Sequence, residues 1–360
     1  AGTSMESVRP GVDVEFSREP VGVVGIITPW NFPIAIPAWK IAPALAFGNT
    51  VVFKPATLVP ATAHALARII TDSGLPSGVF NLVMGSGGEV GNSIVESPVV
   101  DAVTFTGSVE TGRNVLVKTA ERQARVQLEM GGKNPLVVLD DAELETAVEC
   151  ALNGAFYSTG QRCTASSRLI VTEGIHDRFV ARLVERMEGL VVDNALKPGT
   201  QMGPVVDDSQ LEQDLMYIDV GCSEGAEMVT GGSRLGRDTE GYVLAPTLFT
   251  ETNNAMRINR EEMFGPIATV LRVRDYEEAL SVANDTDFGL SAGICTASLT
   301  HSSHFKRNSE AGMVMVNLPT AGVDYHVPFG GRRSSSFGPR EQGQAAAQFY
   351  TATKTSYVNP

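Results

Sequence analysis

Along the first half of the chain, short β-branched runs alternate with stretches of helical period, the pattern of a parallel sheet wrapped by helices. Residues 21–27 read as a buried strand and residues 34–47 as a helix ending at Gly48. Residues 50–53 form the next strand, and residues 60–73 a helix with proline in its first turn and Gly74 just past its end. The alternation recurs twice. A strand at 80–84 precedes a helix near 91–96, and a strand at 102–106 precedes one at 109–119, with a strand at 125–129 closing the set. Beyond Gly131 and Gly132, which suit a hinge, a second α/β unit begins: strand 135–139, helix 144–156, strand 168–172 and an amphipathic helix 176–190. Segments 231–241 and 317–343 read as the mobile or substrate-facing loops.

Composition narrows the function classes. A chain of 360 residues with 43% hydrophobic content can bury a large core and suggests about two domains. A net charge of −13 argues against nucleic acid or an anionic membrane as partner, because both are bound through basic surface. No stretch is apolar for long enough to span a bilayer as a helix. Four cysteines, at 150, 163, 222 and 295, make neither a disulfide framework nor a Cys-x-x-Cys metal pair, and a reducing cytoplasm fits that usage. The five histidines are not spaced as ligands, so no metal is expected.

The chemistry is concentrated in two places. Cys163 follows Gly160, Gln161 and Arg162, polar neighbours where a merely packed helix would carry apolar ones, and Arg162 would favour a thiolate. The plain alternative is a small buried hydrophobe. Glu129, 34 residues earlier, ends a strand before two glycines, a poor place for an idle carboxylate. In α/β proteins ligands collect at strand carboxyl ends and in interdomain crevices, which points to the stretch from Glu129 to Cys163. The glycines from Gly85 to Gly91, including Gly87, follow a strand but do not give Gly-x-Gly-x-x-Gly, since position 90 is Val. Phe105, Thr106, Gly107 and Ser108 break a strand and start a helix at once. That turn could receive a pyrophosphate on its N–H groups, or be an ordinary turn capped by Ser108.

In order and spacing, Thr28-Pro29-Trp30-Asn31-Phe32-Pro33, Phe53-Lys54-Pro55-Ala56, Phe105-Thr106-Gly107-Ser108, Leu128-Glu129-Met130-Gly131-Gly132, Gly160-Gln161-Arg162-Cys163, Glu261-Glu262-Met263-Phe264-Gly265-Pro266 and Pro328-Phe329-Gly330-Gly331 resemble the aldehyde dehydrogenase superfamily. The resemblance implies an α/β fold with a Rossmann-type coenzyme domain, an α/β catalytic domain and small β bridging elements. It places the bridging hairpin at 1–20, the coenzyme domain at 21–132, the catalytic domain at 133–345 and a bridging, oligomerising tail at 346–360. Family members carry a longer N-terminal portion, so the coenzyme domain is expected to be incomplete here.

The resemblance also implies roles. Cys163 would attack an aldehyde, Asn31 would steady the oxyanion with the Cys163 N–H, and Glu129 would activate the water that releases a carboxylate. Thr28, Pro29, Trp30, Lys54, Ala56, Thr57, Gly87, Gly91, Phe105, Gly107, Ser108, Glu262 and Phe264 would hold NADP or NAD. Thr57 stands where many NAD-preferring members have a glutamate that repels a 2′-phosphate, which permits NADP. Arg162 and Phe329 would face the substrate. The stretch from Leu318 to Arg332, with Gly338 to Gly343, is similar to the α-ketoglutaric semialdehyde (2,5-dioxopentanoate) dehydrogenases. Other semialdehydes, aromatic aldehydes, transfer to coenzyme A and an inactive truncated homologue remain as alternatives. A homodimer or homotetramer is implied by the β-rich tail, which would cover an exposed edge.

Overall fold

The computed structural model describes residues 2–359, so Ala1 and Pro360, the outermost residues of the two end segments, lie outside the described residues. The chain divides into two compact units. One runs to Met130 and takes in Val323–Gly330 and the residues from Ser336 onward; the other comprises Gly131–Gly322 and Gly331–Ser335.

The first unit is built on a six-stranded sheet. Five strands, Val23–Ile27, Thr50–Lys54, Phe80–Leu82, Ala102–Thr106 and Arg125–Glu129, run parallel, as the β-branched runs predict. In space their order is third, second, first, fourth, fifth, with the two-residue strand Ser336–Phe337 added antiparallel at the edge. That is the doubly wound order, and it reverses between Val23–Ile27 and Ala102–Thr106, so the carboxyl ends of these two strands open the crevice where such sheets bind ligands. Apolar residues on the two faces pack separate helices. Val24, Ile26 and Phe53 meet Ile41, Ala44 and Ala63, whereas Val103, Phe105 and Leu128 meet Ile94, Val95 and Val115. Strand and helix ends differ from the sequence expectation by a few residues, where side chains no longer decide between one more turn and a loop. A small antiparallel sheet of Thr3–Glu6, Asp13–Pro20 and Thr351–Val358 belongs to the same unit and is mostly exposed.

The second unit has a seven-stranded sheet, ordered Glu227–Thr230, Thr247–Thr250, Ile267–Val273, Ser166–Thr172, Asn134–Val138, Ser291–Cys295, Met313–Val316. Every pairing is parallel except that of Glu227–Thr230. Helices Leu144–Phe156 and Glu173–Glu188 cover one face through Ala147, Ala151, Phe179 and Leu183, and helices Tyr276–Asn284 and Leu299–Asn308 cover the other through Tyr276, Ala279 and Phe305. The helix Asp208–Ser223 packs on a further apolar cluster with Leu211, Ile218, Ile258 and Met263. The helix expected at 176–190 begins at Glu173, directly after its strand. Among the described residues no helix is long and apolar enough to cross a membrane, and no group of His, Cys, Asp or Glu could hold a metal ion.

Candidate active site

Within the first unit, the sequence-selected residues gather at the carboxyl ends of the parallel strands. Thr28 follows Val23–Ile27 and its N–H donates to the Lys54 carbonyl at 3.2 Å, binding two neighbouring strand ends together. Pro29, Trp30 and Asn31 continue that turn, half-buried. Lys54, 4% exposed, ends the next strand and donates to the Pro55 carbonyl at 2.9 Å. Burial lowers its ammonium below the ordinary lysine range. Gly91 lies against the Lys54 side chain, while Ala56 is half-buried and Thr57 exposed. Gly87 begins a single π-type turn in which the Glu89 N–H donates to the Ser86 hydroxyl at 3.1 Å. Ser108 caps the helix Val109–Glu121 by accepting from the Thr111 N–H at 3.3 Å. Gly107 donates to the Glu129 carbonyl at 3.1 Å. Phe105 does not line this edge: its ring is buried beneath Gly107 in the sheet's core.

Glu129 closes the last parallel strand, 2% exposed. Its Oε2 accepts from the Ser336 hydroxyl at 2.6 Å, across the register in which the two residues are paired. Burial, then the neighbouring Glu341 carboxylate, hold its pKa well above the usual carboxylate range, against the Ser336 hydroxyl, Lys40 and Arg340. Lys40 and Glu341 are themselves a buried ion pair, 0% and 3% exposed. The Lys40 ammonium also donates to Thr104 Oγ1 at 2.7 Å, and Thr104 to Gln127 Oε1 at 2.9 Å. Sequence reasoning missed this network. Its signal was a lone lysine in the apolar face Ile36, Ile41, Ala44 of a helix. Phe329 lies in this unit too, 4% exposed, its ring 5.6 Å from that of Trp39.

Within the second unit the chain reaches Cys163 through an improbable backbone. After helix Leu144–Phe156, Ser158 (φ 53°), Thr159 (φ 60°) and Gly160 (φ 64°) are left-handed in succession. For the two residues with a Cβ this costs roughly 1–2 kcal/mol each, and β-branched Thr159 is an outlier of the kind that surrounding contacts must enforce. Those contacts are present: Thr159 Oγ1 donates to the Gly203 carbonyl at 3.2 Å, and Gln161 Oε1 accepts from the Val206 N–H at 3.0 Å. Asn134 fixes the loop itself. Its Nδ2 donates to the carbonyls of Cys163 at 2.8 Å and Ala165 at 2.9 Å, while its Oδ1 accepts from the Ser291 N–H at 3.0 Å. Cys163 is half-buried and reduced.

Glu262 comes to the same place. It accepts from the Gly132 N–H at 2.9 Å, and burial pushes its carboxyl up to about 7 against that bond and the Lys133 charge. Gly132 must be glycine: a Cβ there would stand 2.6 Å from the Cys163 carbonyl oxygen. Gly132, Gly160, Arg162, Glu262 and Phe264 line one cleft of this unit. Arg162 donates to Asn153 Oδ1 at 3.3 Å, and none of the ion pairs among the described residues includes it. Lys133 is a second missed residue. It is 1% exposed, its Nζ has no hydrogen-bond partner, and burial followed by the Arg168 charge lowers its ammonium to about 7.

A reduced thiol on an enforced loop and carboxyls kept proton-hungry by burial, on two parallel α/β frames, define a catalyst of the α/β class. Residues 1–356 match the model of the Aldehyde dehydrogenase family. The chain belongs to that family. It is 47% identical over 346 residues to the alpha-ketoglutaric semialdehyde dehydrogenase of Bacillus subtilis, covering 96% of this chain and 71% of that one. Against the 2,5-dioxopentanoate dehydrogenase of Saccharolobus solfataricus it is 43% identical over 363 residues, covering 99% and 75%. The crystal structure of betaine aldehyde dehydrogenase from Staphylococcus aureus in complex with NAD+ superposes with a TM-score of 0.97 at 36% identity, covering 99% of this chain and 71% of that one.

Because Asn134 carries both carbonyls of the thiol loop, Asn134→Ala should leave the Ser291 N–H without its acceptor and cost roughly 1–3 kcal/mol in urea unfolding, with a larger loss in kcat than in cofactor KM. Unchanged stability and unchanged kcat would show that the loop is held by other means.

Proposed function

We propose that this family member oxidises a short aldehyde bearing a distal carboxylate, of the α-ketoglutaric semialdehyde type, to the corresponding acid, with NADP or NAD as hydride acceptor. The observation that carries the reading is the Cys163 loop, whose left-handed backbone and Asn134 tether fix the main chain that carries the thiol, with Arg162 next to it in sequence. In this reading the Cys163 thiolate adds to the aldehyde carbon, and the oxygen that becomes negative accepts hydrogen bonds from the Asn31 amide and the Cys163 N–H. A bound nicotinamide cofactor would supply the acceptor for the hydride that leaves the carbon, leaving a thioester on Cys163. Glu129 then removes a proton from the water that attacks the thioester, and the thiolate departs.

The first unit's residues suit a dinucleotide: an N-terminally capped helix at the sheet's switch point offers N–H groups to a pyrophosphate, and a buried lysine at the next strand end offers a cation to a ribose. Thr28, Pro29, Trp30, Ala56, Thr57, Gly87, Gly91, Gly107 and Ser108 would contact it from this unit, with Phe105 supporting Gly107 from beneath. Glu262 and Phe264 would serve the nicotinamide-side ribose. Phe329 would face the aldehyde.

Betaine aldehyde is the second reading, carried by the likeness to the S. aureus enzyme. Arg162, adjacent to the nucleophile in sequence, would disfavour a quaternary ammonium and favour a carboxylate, which a guanidinium binds bidentately. A homodimer or homotetramer in the cytoplasm is part of the reading, and sedimentation equilibrium resolves the assembly.

Glu129→Gln should give one burst of reduced cofactor and then stall, since acylation needs only the thiolate. A base works when ionised, and burial holds the pKa of Glu129 well above the usual carboxylate range, so the steady-state rate of the wild type should rise with pH above that range. Rapid mixing without a burst, or a steady-state rate equal to wild type, would assign the water to another group.

α-Ketoglutaric semialdehyde should be oxidised with a higher kcat/KM than butyraldehyde or betaine aldehyde, and Arg162→Ala should lower the first by roughly 10-fold or more while sparing the others. Equal losses on all three substrates would sink the carboxylate reading. For the cofactor, NADP should be accepted at least as well as NAD, and Thr57→Glu should shift paired kcat/KM values toward NAD. A wild-type preference for NAD of roughly a hundredfold would overturn the reading of Thr57.

A further inference from the structure

The turn that carries Glu262 and Phe264 is held from behind by one polar face of the helix Asp208–Ser223. Gln210, Gln213, Asp214 and Tyr217 are spaced i, i+3, i+4 and i+7, so they share that face. Gln210 and Gln213 both donate to the Met263 carbonyl, at 3.2 Å and 2.8 Å. The Tyr217 hydroxyl donates to Glu261 Oε2 at 2.9 Å. Asp214 occupies the middle, 0% exposed, with its carboxyl against the Gly265 backbone so closely that any side chain at 265 would overlap it. Its Oδ1 accepts from Gln210 at 2.9 Å, and its Oδ2 has no hydrogen-bond partner. The turn needs such a platform, because Phe264 is left-handed (φ 64°) and would relax if released.

We propose that Asp214 is a positioning residue, which sets the conformation of the 261–265 turn and so the placement of Glu262 and Phe264. The assignment of a cofactor role to that turn rests on the function proposed above; the positioning itself does not. Burial pushes the Asp214 carboxyl up to about 7, opposed only by the Gln210 bond. The charged or titratable groups on the elements that meet there are Tyr217, Asp207 and Asp208 at its own helix, Glu261 and Glu262 on the turn, Arg257 on the short helix Arg257–Arg260, and Lys133, whose charge acts on Glu261 and Glu262. Of the two cations, Arg257 is bound to Glu261 and the Lys133 charge acts on Glu261 and Glu262, so neither is a dedicated counter-charge to an ionised Asp214. Below neutrality the neutral acid packs against Gly265. Above it, a buried carboxylate without a counter-charge loosens the turn.

The sign for stability agrees. The folded pKa lies above the unfolded value of about 3.9, so the contribution is complete below that value and is lost as pH rises through about 7.

The test compares wild type, Asp214→Asn, Asp214→Leu and Glu262→Gln between about pH 6 and about pH 8.5. Hydrogen exchange of the peptide spanning 261–265, corrected for intrinsic rate, reads the turn without cofactor; KM for NAD+ reads its consequence. In wild type, exchange and KM should climb with pH. In Asp214→Asn, the uncharged isostere, the rise in KM should be at least about threefold smaller, with the unfolding midpoint gaining on wild type above neutrality and kcat preserved. Asp214→Leu should exchange faster and bind NAD+ more weakly at every pH. Exchange in Asp214→Asn that tracks wild type at every pH overturns the proposal. If exchange responds as expected but Glu262→Gln keeps the wild-type KM, the positioning stands and the cofactor role of Glu262 is withdrawn.

Discussion

The second unit's chemistry depends on one steric constraint, the missing β-carbon of Gly132. Its N–H is held by Glu262, and its α-carbon faces the Cys163 carbonyl and the Asn134 amide. Three groups distant in sequence converge there because nothing projects between them. A methyl group at that point would have to displace a backbone carbonyl, and protein interiors absorb such a shift poorly. The thiol loop, the carboxyl of Glu262 and the start of strand Asn134–Val138 therefore move as one or not at all.

Strain and burial are concentrated around the reacting groups in both units. In the second, Ser158 and Thr159 hold left-handed conformations that their own side chains oppose. In the first, Glu129 and the pair of Lys40 and Glu341 are removed from water. Each is unfavourable locally and is maintained by the regular sheet and helices on either side. That division explains why the strands carry Val, Ile and Leu while the segments between them carry the polar residues.

The parallel strands of the first unit were legible because a strand buried on both faces carries a short, mostly apolar run rich in β-branched residues, as Val23–Ile27 and Ala102–Thr106 do. Family membership was legible from motif order, and Cys163 and Glu129 stood out by their polar or glycine-rich neighbours. Lys40 was not, since a lysine reads as solvated until a partner 301 residues away is known to meet it. Asp214 was hidden for the same reason: what buries it is the backbone of Gly265, which has no side chain to advertise the contact. The left-handed pair before Gly160 was illegible in principle, because Ser and Thr carry no signal for that conformation and the contacts that enforce it come from residues 203 to 206.

The buried pairing of Lys40 with Glu341 also imposes an order on synthesis. The first unit's opening helix cannot bury its lysine until residue 341 has been made, and the amide of Asn49 awaits the Tyr350 carbonyl in the same way. Arg125 likewise reaches the carbonyls of Phe349 and Thr351. A ribosome thus emits the five parallel strands well before the residues that brace them. The second unit, nearly all of it continuous from Gly131 to Gly322, has every strand in hand before those braces appear. The first unit's strands therefore wait for their final braces, and through that interval Lys40 can reach Thr104 but has no carboxylate to neutralise it.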